Sequence, residues 1–114
     1  MKNERNYKDF LNDIIVAIEN IENFIKDTDY ASFEKNLQKV YATTHCLEII
    51  GEAVKKIPEN VKGKYDDIPW RKIAGMRDIL IHGYFVVDSK KIWETVNRDL
   101  SPLKRTVDKM LNDL

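Results

Sequence analysis

The chain has 114 residues, with 19 lysines and arginines, 19 aspartates and glutamates, and one cysteine. This length suits one domain, so residues 1–114 are expected to form a single unit. Glycine and proline occur only four and three times, and charged residues make up 33%, which favours long helices over turn-rich β structure. A formal net charge of zero excludes a global basic field, so any nucleic-acid binding would need a local patch.

Cysteine usage and hydropathy point to a cytoplasmic protein with no membrane span. A single cysteine, Cys46, cannot build the internal disulfide framework typical of small secreted domains. The first residues are charged and lead into no signal-like apolar block. The longest apolar run, from Ile14 to Ile18, is far shorter than the roughly 20 residues that cross a bilayer.

Apolar residues at helical spacing divide the first half of the chain into two amphipathic segments. One stripe, from Tyr7 to Ile25, predicts a helix that ends at a turn over residues 27–29. The second runs from Phe33 to Ile57 and stops before Pro58, because the residue before proline avoids the helical region. This segment is either one long helix or a short helix kinked into a longer one. Residues 58–68 are predicted to form a loop.

The second half continues with helical spacing. Pro69 suits the first turn of a helix that carries Trp70 and ends at Gly83. Asp88 is placed to cap the next helix, and Ser101-Pro102 marks either a kink or the start of a last helix. No segment alternates with the period of a strand over more than a few residues. The pattern therefore predicts an all-α fold, an up-and-down antiparallel bundle of four to five helices.

The chemically unusual stretch runs from Arg77 to Tyr84. Arg77 lies near the apolar stripe of its predicted helix, which is costly unless an anion or a second subunit meets it. Asp78 and His82 are four residues apart, so on a helix the carboxylate could orient the imidazole for proton transfer. Metal-free cleavage of an RNA phosphodiester needs little more than a cation, an oriented histidine and a nearby phenol. A capping or surface histidine remains the alternative.

Two further groups of residues have weaker functional interpretations. His45, Glu48 and Glu52 share a helical face, a spacing compatible with a metal site, although a solvated or interface face is favoured. Arg71 and Lys72, with lysines around the 58–68 loop, could contact RNA phosphates. A solvated charge cluster is the default interpretation of such residues.

Several blocks of the sequence resemble one known family over nearly the whole chain. These are Leu47-Glu48-Ile49-Ile50-Gly51-Glu52-Ala53, the segment from Ile68 to Asp78 followed by His82-Gly83-Tyr84, and the pairs Val87-Asp88 and Ile92-Trp93. Together they resemble the HepT-like proteins of the HEPN superfamily of helical ribonuclease domains. The sequence is unlike many members at two positions, with Asp78 in place of an asparagine and His45 in place of an arginine.

The resemblance implies a metal-independent endoribonuclease toxin of a type VII HepT/MNT toxin–antitoxin module, acting as a homodimer without a cofactor. Carried over, Arg77 would stabilise the scissile phosphate, His82 would act as general acid or base, and Asp78 would support the pair. Tyr84 matches the tyrosine that the partner, a minimal nucleotidyltransferase (MNT) antitoxin, silences by AMPylation. Two alternatives are a non-catalytic nucleotide- or partner-binding subunit of a nucleotidyltransferase complex and a purely structural dimeric bundle.

Overall fold

A computed structural model describes residues 6–82 and 86–114 of the chain. Within these residues, seven helices and two short strands follow one another. The helices are α1 (Tyr7–Ile25), α2 (Tyr30–Lys35), α3 (Leu37–Lys55), α4 (Glu59–Lys62), α5 (Trp70–Ala74), α6 (Met76–Leu80) and α7 (Ser89–Asn112). The strands β1 (Ile81–His82) and β2 (Val86–Val87) lie between α6 and α7. The predicted all-α bundle is confirmed, with three long and four short helices.

The long helices α1, α3 and α7 form the body of the bundle, in which α1 packs against both of the others. Each buries most of the apolar stripe predicted from its spacing, but Leu37 and Tyr41 of α3, which the spacing placed in the stripe, are 61% and 53% exposed. The buried residues include Leu11, Ile14, Ile18 and Ile21 of α1, Leu47, Ile50 and Val54 of α3, and Ile92, Leu103 and Val107 of α7. Burial stabilises the fold by about 1.5–3 kcal/mol for each such side chain. In the described part of the chain, no helix has both the length and the apolar character needed to cross a bilayer.

The two alternatives that the spacing left open are settled by the helix boundaries. The second stripe is two helices, because Asn36 ends α2 and its Oδ1 accepts a hydrogen bond from the Lys39 amide at 3.1 Å, which caps α3. The C-terminal stripe is instead one continuous helix, α7, with Pro102 inside it.

The predicted loop over residues 58–68 contains α4 and is attached to the bundle by polar contacts. Lys62 is only 7% exposed, and its Nζ donates to the carbonyl oxygen of Val54 at 3.2 Å. The lysine thereby adds a second donor to a carbonyl in the last turn of α3 that also accepts from the Ile57 amide at 3.2 Å. The Tyr65 hydroxyl donates to Asp113 at 2.7 Å, and this contact with a carboxylate raises the pKa of Tyr65. The segment is thus joined to the ends of both α3 and α7.

The predicted helix from Pro69 to Gly83 is shorter than expected and interrupted at Gly75. Its second part, α6, ends at Leu80, after which the backbone becomes extended and His82 pairs with Val86 in an antiparallel bridge. The Asp88 amide also donates to the Leu80 carbonyl at 2.9 Å. The prediction that Asp78 and His82 share a helical face is therefore wrong, because His82 belongs to a strand.

Gly51 allows α3 to pack closely against the junction of α5 and α6. A Cβ atom at this position would lie 3.3 Å from the carbonyl oxygen of Ile73 and 3.4 Å from that of Ala74. Both oxygens belong to the backbone, so they cannot rotate away as a flexible side chain would. The absence of a side chain at Gly51 therefore sets the distance between α3 and the segment that carries Arg77.

Replacing Gly51 with valine is expected to lower the free energy of unfolding by about 1–3 kcal/mol, because the added atoms must displace backbone. Urea and thermal unfolding measure this loss. Valine has a slightly higher helix propensity than glycine, so propensity cannot account for a loss at position 51. Glu52→Val places the same side chain at an exposed position of α3 and is expected to cost less than about 1 kcal/mol, from lower helix propensity and the lost exposed pair with Lys55. Equal losses in the two variants would show that the contact of Gly51 with residues 73 and 74 is not tight.

Candidate active site

Arg77 reaches from α6 to α3, where its Nε lies 3.1 Å from Oε2 of Glu48. The side chains of Arg77 and Glu48 are 58% and 34% exposed, so the guanidinium lies at the surface of the protomer and not in the apolar core. Among the described residues, Glu48 is the one ion-pair partner of Arg77. The contact uses Nε, and within residues 6–82 and 86–114 neither terminal amino group of the guanidinium has a hydrogen-bond partner, which leaves both groups able to bind an anion.

The other predicted catalytic residues follow Arg77 closely along the chain. Asp78 is exposed. The backbone of His82 lies in β1, two residues beyond the end of α6, while its side chain lies outside what the structure describes. Tyr84 lies outside the described residues. The structure therefore brings the backbones of Arg77 and His82 into one short segment that is held to the start of α7 by the strand pairing.

Glu48 is the site residue that sequence reasoning missed. Helical spacing grouped it with His45 and Glu52, and no role toward Arg77 followed from that pattern. The contact joins residues 29 positions apart, which periodicity within one helix cannot reveal. A carboxylate held against Nε orients the planar guanidinium.

In the part of the chain that the structure describes, no group of three or more histidine, cysteine, aspartate or glutamate residues is arranged to hold a metal ion.

Glu48 and Glu52 form a ridge on α3 between two depressions in the surface. On one side lies the α1–α3 face, with a cavity of about 350 Å³ whose lining includes Phe10, Asp13, His45 and Ile49. On the other side, a smaller cavity of about 130 Å³ is lined by Lys55, Ala74 and Arg77 together with the two glutamates. The Arg77 guanidinium therefore borders a depression that is large enough for a phosphate group.

The two predicted RNA contacts, Arg71 and Lys72, line different cavities. Arg71 lies with Lys55 and Trp70 in a depression next to that of Arg77. Lys72 belongs to a cavity between α5 and α7, where its Nζ is 3.9 Å from Asp99. Consecutive helical residues point about 100° apart, which explains the separation. The structure thus groups Arg71, but not Lys72, with the surface beside Arg77.

Cys46 is unsuited to act as a nucleophile. It is buried in the bundle, and burial raises the pKa of its thiol above the ordinary value. The reactive form of cysteine is the thiolate, so the side chain stays protonated and unreactive near neutral pH.

Comparison with known proteins identifies similar sequences of nearly the same length. Residues 14–110 match the family model described as "Ribonuclease HepT-like". "Putative RNase MJ0125" of Methanocaldococcus jannaschii is 47% identical over 97% of this chain and 96% of its own length. "Probable ribonuclease HepT" of Thermococcus cleftensis is 44% identical over 94% of this chain and 97% of its own. No solved structure gives a significant match.

Proposed function

Because the chain belongs to the HepT-like ribonuclease family, we propose that it is a metal-independent endoribonuclease and the toxin of a two-protein module. The observation that carries this proposal is the Glu48–Arg77 contact. It holds a guanidinium at the surface, beside a depression and close in the chain to His82. A fixed cation next to a histidine supplies the groups that cleavage of an RNA phosphodiester requires.

The proposed reaction is transfer of the phosphoryl group to the neighbouring 2′-oxygen. One imidazole, that of His82, takes the proton from the 2′-hydroxyl, and the oxygen attacks phosphorus. The bond from phosphorus to the 5′-oxygen breaks, and that oxygen receives a proton from the second copy of His82. Arg77 stabilises the negative charge that develops on the non-bridging oxygens. Asp78, exposed beside it, is proposed to support the pair of basic groups. Both protons are accounted for without a metal-bound water.

The α1–α3 face supports the proposal that the protein acts as a homodimer. Ile49 and Val16 lie on this face, 37% and 56% exposed, and the ridge that holds Glu48 borders it. In the proposed dimer, a second protomer covers these apolar residues, and the Glu48–Arg77 pairs of the two copies lie at the edge of the interface, where they face one cleft. Two guanidiniums at one cleft would create a local positive field in a protein whose formal net charge is zero.

Regulation by a cognate minimal nucleotidyltransferase is part of the same proposal. Tyr84 follows His82 by two residues, and its hydroxyl is the proposed acceptor of AMP. Each added AMP carries a negative phosphodiester to a site that receives an anionic substrate, so modification would oppose RNA binding by repulsion and by bulk.

Purified wild-type protein is expected to cleave single-stranded RNA in the presence of excess EDTA, and the His82→Ala variant is expected to lose about two to four orders of magnitude in rate. Gel electrophoresis of labelled RNA measures the rate. Size-exclusion chromatography with light scattering tests for the dimer. Cleavage that disappears with EDTA and returns with Mg²⁺ would contradict the mechanism, as would a His82→Ala variant as fast as wild type.

A further inference from the structure

The depression beside Arg77 continues into a second one between α3, α4 and α5. The two share Lys55 and Ala74, and the second has a volume of about 280 Å³. Ala74 leaves room between them because it carries only a methyl group. We call this continuous surface the α3–α5 groove. It is lined by Lys55, Lys62, Trp70, Arg71, Ala74 and Arg77, together with Gly51 and the glutamates Glu48, Glu52 and Glu59.

The cations of the α3–α5 groove differ in their partners. Three are paired with glutamates: Arg77 with Glu48 at 3.1 Å, Lys55 with Glu52 at 3.3 Å, and Lys62 with Glu59 at 3.1 Å. Arg71 is exposed and, within residues 6–82 and 86–114, has no carboxylate at ion-pair distance. An unpaired guanidinium binds a phosphate without first breaking an existing contact. The exposed pair at Lys55 contributes little to stability, so a phosphate can also displace Glu52 there.

An aromatic ring lies beside these cations. Trp70 is half-buried and lines the same depression as Lys55 and Arg71. Its Nε1 donates to the carbonyl oxygen of Tyr65 at 2.9 Å, which restrains the orientation of the indole. A groove that combines basic side chains with a restrained aromatic ring is typical of proteins that bind single-stranded nucleic acid, in which bases stack on the ring and phosphates contact the cations.

We propose that the α3–α5 groove binds the single strand of RNA that leads away from the scissile phosphate at Arg77. Arg71 and Lys55 contact backbone phosphates, and Trp70 lies against a base. The strand runs away from the α1–α3 face, so a second protomer on that face leaves the groove open. This inference rests on the proposed ribonuclease function and adds to it the path of the substrate. Under this proposal, Arg71 contributes to the affinity for RNA, whereas Arg77 contributes to the rate of the chemical step.

The test measures affinity without cleavage, in the His82→Ala background, by fluorescence anisotropy of an unstructured RNA of about ten nucleotides. Adding Arg71→Gln is expected to weaken binding about tenfold and to reduce the slope of log Kd against log salt by about 0.7, the value for one phosphate contact on a single strand. Arg105→Gln, which removes an exposed arginine of α7 outside the groove, is expected to change Kd by less than about twofold. Circular dichroism confirms that both variants fold.

Cleavage kinetics separate this proposal from the ribonuclease proposal. In the active protein, Arg71→Gln is expected to raise KM for an RNA of about ten nucleotides without lowering kcat. It is expected to leave cleavage of a dinucleotide unchanged, since a dinucleotide bound at Arg77 does not extend to Arg71. Equal effects of Arg71→Gln and Arg105→Gln on Kd would show that the α3–α5 groove does not bind RNA, even if the protein cleaves RNA. If the wild-type protein cleaves no RNA but Arg71→Gln still weakens RNA binding more than Arg105→Gln does, the ribonuclease proposal is wrong, whereas RNA binding by the α3–α5 groove is supported.

Discussion

Replacing Arg77 with alanine is expected to lower the rate of RNA cleavage by about a hundredfold to a thousandfold, the usual cost of removing one preorganised charge from a transition state. The fall should appear mainly in kcat, because charge on the non-bridging oxygens is greatest when the bond to phosphorus is breaking. Steady-state cleavage of a fluorogenic RNA in EDTA measures both constants. Arg77→Lys is expected to recover only part of the rate, since a point charge lacks the Nε contact that orients the guanidinium.

Arg98 provides a matched control for the Arg77→Ala variant. Arg98 of α7 is also 58% exposed and also places its Nε against a carboxylate, that of Asp99 at 3.0 Å. Arg98→Ala is expected to leave the cleavage rate within about twofold, although it removes the same charge and an ion pair with one more contact, from a terminal amino group to Asp99 at 3.3 Å. Both variants should lose less than about 1 kcal/mol of stability. A comparable loss of activity in the two would mean that net charge, and not the position of Arg77, supports cleavage.

The long helices could be predicted from the sequence, whereas the details near the site could not. The stripes of α1 and α7 place an apolar residue on the core side at nearly every turn, so periodicity alone finds them. The segment after Gly75 contains apolar residues as well, and helical spacing continues through Ile81. There the chain instead forms β1, because pairing with Val86–Val87 outweighs local helix propensity. The β-branched residues on both sides of Gly83 were the available signal.

Only some of the side chains at the candidate site could be predicted from the sequence. Arg77 could be selected because an arginine among apolar helical neighbours is unusual. Its partner Glu48 could not, since the contact depends on how α3 packs against α6, which in turn depends on the close approach at Gly51. The separation of Arg71 from Lys72, by contrast, follows from helix geometry alone and could have been predicted, because adjacent positions face different directions.

Coexpression with a cognate minimal nucleotidyltransferase is expected to add AMP to Tyr84 and to reduce RNA cleavage by at least about thirtyfold. For two unit charges, a separation of about 8 Å gives a repulsion of about 2 kcal/mol at an effective dielectric constant of about 20, which corresponds to that factor. Steric exclusion by the nucleotide adds to the effect. Intact mass spectrometry counts the AMP groups, and the cleavage assay is run on the same preparation.

Tyr84→Phe is expected to gain no AMP and to keep its cleavage activity after coexpression, because it retains the ring but lacks the acceptor hydroxyl. Tyr41→Phe provides the matched control. Tyr41 lies on α3 and is 53% exposed, so if accessibility alone selected the acceptor, this variant would also lose modification. We expect it to be modified and silenced as fully as wild type. AMP groups that persist in Tyr84→Phe, or a modified protein that still cuts RNA at the unmodified rate, would show that inhibition does not act through this hydroxyl.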